Sequence, residues 1–138
     1  MMVLDYVDLA SVPAEHLTSL ATCVTKVVII RDVSNCDLVS ILDNLKCKEL
    51  KIRNQVLGTE ETWAVVRAME TRVETVGLGC MDISALTQYS GQGKCRQVTF
   101  YDDAAHKYGE EVRSWAQRIN WRVNDFFIFD KKSTYIIR

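Results

Sequence analysis

Nucleophilic catalysis needs a Ser or Cys beside a base, and the only histidines, His16 and His106, lie far apart in predicted helical segments with no motif around either. The five cysteines (Cys23, Cys36, Cys47, Cys80 and Cys95) include no Cys-x-x-Cys pair and have no neighbouring histidine, so no structural metal is expected. Gly91-Gln92-Gly93-Lys94-Cys95 has the glycines and lysine that end a phosphate-binding loop. Its first glycine is at the wrong spacing, however, and Cys95 stands where a magnesium-binding Ser or Thr would be, so the run reads as a turn. The carboxylate pairs Glu60/Glu61, Asp102/Asp103 and Glu110/Glu111 are adjacent in sequence and splay apart on a helix or strand. Trp63 and Trp115 fall on apolar helical stripes and no basic run surrounds Trp121, so all three are expected in the core rather than as base-stacking platforms. No catalytic residue, cofactor or metal is assigned, and the expectation is a non-enzyme.

Composition sets the background for that reading. The 138 residues suit one domain, and 48% hydrophobic with 25% charged residues is ordinary globular composition. Lys+Arg 17 against Asp+Glu 18 leaves a formal charge of -1, too little field to gather phosphates, so nucleic acid is not an expected partner. Asp5 and Asp8 stand where a secretory signal would be basic, and the longest apolar stretch, Val27 to Ile30, falls far short of the roughly 20 residues of a membrane span. With an odd number of cysteines, these features predict a soluble chain in the cytoplasm, with no membrane contact.

The elements that would carry any site emerge from an internal repeat. Apolar residues at the first, fourth and sixth positions of a short template recur at Val24/Val27/Ile29, Cys47/Leu50/Ile52, Val73/Val76/Leu78 and Cys95/Val98/Phe100. Weaker copies stand at Leu4/Val7/Leu9 and Val123/Phe126/Ile128. Successive copies advance by 20, 23, 26, 22 and 28 residues. The two-residue step at the end of each template marks a strand with one inward face. Between templates the period lengthens to that of a helix. Helices are expected over Pro13 to Cys23 (Leu17 and Leu20 inward), Cys36 to Leu45 (Leu38, Ile41, Leu42 and Leu45 inward) and 59–71, the last with Thr59 as N-cap and Trp63, Val66 and Met69 inward. Two more are expected over Asp82 to Tyr89 and Ala104 to Ile119, and Asp125 to Phe129 with Thr134 to Ile137 would form a closing hairpin.

Cys47-x-x-Leu50-x-Ile52-x-x-x-x-Leu57-Gly58-x-x-Glu61-x-x-x-Val65-Val66-x-Ala68-Met69 resembles a leucine-rich repeat of the ribonuclease-inhibitor type, in which a full helix follows each strand. The resemblance implies an α/β fold: a short leucine-rich-repeat-like solenoid over 1–138, of about five to six irregular repeats. Its parallel sheet would form the concave face and its helices the convex one. Divergent repeats of this kind occur in intracellular immune receptors, which implies a setting in cytosolic innate-immune signalling. The rival architecture is a conventional α/β sandwich with the same parallel strands.

On this frame the informative surface is the open side of the strands. If Val27/Ile29, Leu50/Ile52, Val76/Leu78, Val98/Phe100 and Phe126/Ile128 point inward, alternation turns outward Val28/Ile30, Lys51/Arg53, Gly77/Gly79, Thr99/Tyr101 and Phe127/Phe129. The expected protein-binding residues are therefore Lys51, Arg53, Tyr101, Thr99, Val28, Ile30, Phe127 and Phe129. The two cations suit an acidic partner, Gly77 and Gly79 allow close approach, and Tyr101 is an aromatic anchor. A homodimer through the unpaired strand edges at the solenoid ends is a further expectation. Two alternatives stay open: a small α/β enzyme with a pocket at the strand C-terminal ends, where Asp102, Asp103 and His106 would converge, and a structural homo-oligomer or capping fragment of a larger repeat receptor.

Overall fold

A computed structural model describes residues 4–8, 16, 19, 22–31, 37–53, 55–101, 107–124 and 128–131. The fold is α/β. Its strands β1 (Leu4–Asp8), β2 (Val24–Arg31), β3 (Glu49–Arg53), β4 (Thr75–Leu78) and β5 (Gln97–Phe100) run parallel, each hydrogen-bonded to the next in sequence order. The hairpin β6 (Trp121–Asn124) and β7 (Ile128–Lys131) extends the sheet, with β7 antiparallel to β5. Helices α1 (Leu38–Asp43), α2 (Thr59–Thr71) and α3 (Ile83–Leu86) connect β2 to β5 in turn, and α4 (Gly109–Arg118) leads into the hairpin.

The repeat seen in sequence becomes three rows of buried side chains. Val24, Cys47, Val73 and Cys95 form the first, Val7, Val28, Leu50, Val76 and Val98 the second, and Ile30, Ile52, Leu78 and Phe100 the third. All belong to one cluster with Leu38, Ile41 and Leu42 of α1, Val65, Val66 and Met69 of α2, Leu86 of α3, and Val112 and Trp115 of α4. The described helices thus cover a single face of the sheet. Each fully buried aliphatic side chain in these rows contributes about 1.5–3 kcal/mol.

Strand β2 departs from the expected register. Val28 and Ile30 are fully buried, while Val27 and Ile29 are half-exposed on the open face, the reverse of the template reading. The reason is an irregularity in the β1–β2 pairing: Leu4 matches Val24, but Tyr6 matches Val27 and Val7 matches Val28. One extra residue in β2, a β-bulge, shifts every later side chain to the other face.

Helices α1, α2 and α3 each begin under a specific cap. Asp37 accepts from the Ser40 N–H at 3.1 Å, and Asp82 from the N–H groups of Ser84 and Ala85 at 3.0 and 3.4 Å. The N-cap of α2 is Gly58 rather than Thr59; the Glu61 carboxylate reaches back to the Gly58 N–H at 2.8 Å. Thr59 instead donates its hydroxyl to Asp82 at 2.7 Å, tying the start of α2 to that of α3. That bond, first, holds the Asp82 carboxyl below its usual range. Thr62 faces the core in place of Trp63, which lies on the outer side of α2 at 38% exposure; the Thr62 hydroxyl is satisfied by the Gly58 carbonyl and the Asp82 N–H. Helices α1 and α2 are joined by the Arg67–Asp43 fork, with both contacts at 3.0 Å.

The end of the sheet also differs. Where a sixth parallel unit was expected at Val123/Phe126/Ile128, the described strands at 121–124 and 128–131 pair as an antiparallel hairpin; of the expected hairpin runs, 125–127 and Thr134 to Ile137 lie outside the described residues. Trp121 explains the position: it is 4% exposed and packs on Trp115 and Tyr89, with ring centroids 5.7 and 6.1 Å away. The expected first helix over Pro13 to Cys23 lies largely outside the described residues.

Candidate functional site

The side of β2–β5 opposite the helices is where several of the candidate residues gather. Register sets out its rows across the strands. One holds Val27, Glu49, Thr75 and Gln97, and the next Asp8, Ile29, Lys51, Gly77 and Thr99. Arg31 and Arg53 are paired at the strand ends. Neighbouring residues within a row stand about 4.8 Å apart. Val27, Ile29, Lys51, Thr99 and Tyr101 are all half-exposed, and Arg53 is exposed.

At the centre lies a stack. The Tyr101 ring lies across β4, and a Cβ on Gly77 would overlap its hydroxyl. The Arg53 guanidinium sits over the same ring, 4.5 Å from its centroid, in a cation–π arrangement. Gly77 therefore does permit close approach, but the group that approaches is the chain's own Tyr101. Beside the stack, Arg31 is paired with Asp8 at 2.7 Å. Glu49 accepts from the Thr75 hydroxyl at 3.4 Å.

Of the expected binding residues, Lys51, Arg53, Thr99 and Tyr101 come together here. Val28 and Ile30 do not: both are core residues at 0% exposure, and Val27 and Ile29 take their place. Phe129 belongs to β7, registered with Val98 and Val123, and Phe127 lies outside the described residues. Asp102, Asp103 and His106, the polar set of the enzymatic alternative, also lie outside them. Sequence reasoning missed Val27, Ile29 and the Arg31–Asp8 pair. A signal for the first two was present: Lys48, Glu74 and Arg96 each directly follow the first buried template residue, whereas Lys26 follows Val24 after an intervening Thr25. Aligning on the charged position exposes Thr25 as the extra residue.

The remaining candidate chemistry is occupied by structure. Burial pushes the Cys47 thiol up to about 11 and the Cys95 thiol up to about 12, so both stay protonated. Burial likewise raises the Tyr89 phenol, which donates to the Cys95 carbonyl at 2.7 Å. Two shallow clefts lie on the helix side: one of about 380 Å³ beside Ser84, Glu110, Glu111 and Arg118, and one of about 400 Å³ at the starts of α1 and α2. In the second, Asp37 and Glu61 accept from the backbone N–H groups that cap the two helices. Among the described residues, no three His, Cys, Asp or Glu side chains are grouped to hold a metal ion. No helix among them is long and apolar enough to cross a membrane. Compared with protein-family models, curated proteins and solved structures, the chain matches none of them.

Proposed function

We propose that the chain is a non-enzymatic protein-interaction module, a short leucine-rich-repeat-like β/α solenoid that recognises a protein partner through its open sheet face. Parallel sheets are ordinarily covered on both faces, because both carry apolar residues that need burial. Here the described helices share one face, and the other presents a mixed surface of Val27, Ile29, Lys51, Arg53, Thr99 and Tyr101. The observation that carries the reading is the Arg53–Tyr101 stack over Gly77. It fixes an aromatic ring and a guanidinium, two side chains enriched at binding hot spots, at the middle of that face. Cys23, Cys47, Cys80 and Cys95 are free thiols, which suits a reducing cytoplasm, and the sequence resemblance to immune-receptor repeats is the ground for proposing a setting in innate-immune signalling.

The test is partner capture from cell extract by the native chain and by a Lys51→Ala, Arg53→Ala, Tyr101→Ala variant of unchanged circular dichroism. Loss of the captured proteins with the triple variant is the expected outcome, and equal capture by the two chains overturns the proposal.

A further inference from the structure

We infer that the segment bound on this face is an extended acidic peptide: one carboxylate pairs with Arg53 and Lys51, and an aliphatic side chain two residues away lies on Val27 and Ile29. The inference rests on the strand-face reading above and adds the chemistry of the ligand. The Arg53 guanidinium carbon sits over the Tyr101 ring, 4.5 Å from its centroid, which anchors the charged group on this face. A guanidinium is a planar fork of N–H donors, the shape that receives a carboxylate through two hydrogen bonds.

The neighbouring charges select that position. Arg31, beside Arg53 in the register, has its charge matched by Asp8 at 2.7 Å. Lys51 lies on the same side of β3 as Arg53, two residues back and about 7 Å away. Among the described residues no carboxylate lies within ion-pair distance of Lys51 or Arg53. Ile29 stands directly across from Lys51 in the β2–β3 pairing, and Val27 is two residues before it. Positive charge with no matching carboxylate among the described residues therefore adjoins half-buried aliphatic surface at a separation of about 5–8 Å. Side chains i and i+2 of an extended peptide share one side and lie about 7 Å apart, which spans that distance. Two cations unmatched among the described residues, on a chain of net charge -1, favour a peptide over a nucleic acid, whose binding neutralises many phosphates.

Fluorescence anisotropy of the full chain tests this with fluorescein-labelled eight-residue peptide panels carrying Leu-x-Glu at the centre, matched panels carrying Leu-x-Gln, and a labelled single-stranded oligo-dT. Backbone amide NMR shifts locate the contact. The Glu panel should bind at least tenfold more tightly than the Gln panel and shift amides of β2–β5. Arg53→Gln should abolish that preference with the fold intact, whereas Arg31→Gln should keep it. Equal binding of both panels at the strand face overturns the acidic specificity and leaves the interaction reading standing. If neither panel shifts the strand amides, both readings fall. Tighter binding of oligo-dT than of either panel overturns the peptide assignment in favour of nucleic acid.

Discussion

Two glycines show how one missing side chain can serve different ends. At Gly77 an added Cβ meets the end of the Tyr101 side chain, which can swing aside; at Gly93 it meets the backbone of Glu70 at 2.5 Å, which cannot. The Lys94 and Cys95 N–H groups donate to the Glu70 and Met69 carbonyls at 3.3 and 2.8 Å, so the chain at Gly93 is pinned against the end of α2. Gly93→Ala should therefore cost about 1–3 kcal/mol in denaturant unfolding, as overpacking against a rigid neighbour does. Gly77→Ala should cost less than Gly93→Ala in the same titration while displacing Tyr101 from beneath Arg53, read as a change in tyrosine fluorescence. The buried thiols make a pH prediction. Cys47 and Cys95 ionise at about 11 and about 12 in the fold against 9.0 for a free thiol, so above pH 9 the unfolded chain binds fewer protons than the native one. Stability is then constant below pH 9 with respect to these groups and falls as pH rises toward 11–12. Urea midpoints across that range should show the decline. Cys95→Val, the residue found at the equivalent positions 24 and 73, should lessen it, the remainder coming from Cys47.

The informative element is β2, where a repeat visible to the eye was aligned one residue out. With Thr25 set aside, Val24-Lys26-Val27-Val28 lies on Cys47-Lys48-Glu49-Leu50. The backbone agrees, since Lys48 N–H donates to the Lys26 carbonyl as Glu74 N–H donates to that of Lys48 and Arg96 N–H to that of Glu74. Deleting Thr25 should regularise the strand and change stability by no more than about 1 kcal/mol in thermal melts. Deleting Glu49, which would turn Leu50 and Ile52 out of the core, should abolish cooperative melting. Leu50→Ala, at the centre of the middle buried row, should cost about 2–5 kcal/mol. Helix α2 was legible to its bounds from its spacing, yet its cap was placed one residue late, at Thr59 instead of Gly58, and its inward face was misjudged at Trp63. Thr62 has two hydrogen-bond partners at the α2–α3 junction and so enters the core at no polar cost, leaving Trp63 outside.

At the scale of the molecule, one core cluster runs from Val7 in β1 to Trp121 in β6. A single cooperative transition in calorimetry is expected, without separate melting of the two ends. The hairpin seals one side of the sheet: β7 covers β5, and Trp121 closes over Trp115 and Tyr89. A chain ending at Asn120 should expose the β5 edge and this aromatic pair, and so elute as aggregate in size-exclusion chromatography where the full chain does not. The parallel run stops at β5 because the hairpin turns back beside it, which is why a sixth copy of the template was legible in composition but wrong in direction.

The local patterns at Cys47/Leu50/Ile52, Val73/Val76/Leu78 and Cys95/Val98/Phe100, with helical spacing between them, determined on their own that strands alternate with helices, because periods of two and of 3.6 are properties of the chain itself. They also marked Lys51, Arg53, Thr99 and Tyr101 as one face. The charged position after Thr25 held the sign that Val27 and Ile29, rather than Val28 and Ile30, complete that face, but tertiary structure alone decided that Tyr101 folds over Gly77 beneath Arg53 and that Asp8 claims Arg31. Contacts between strands depend on distances that the order of residues does not contain.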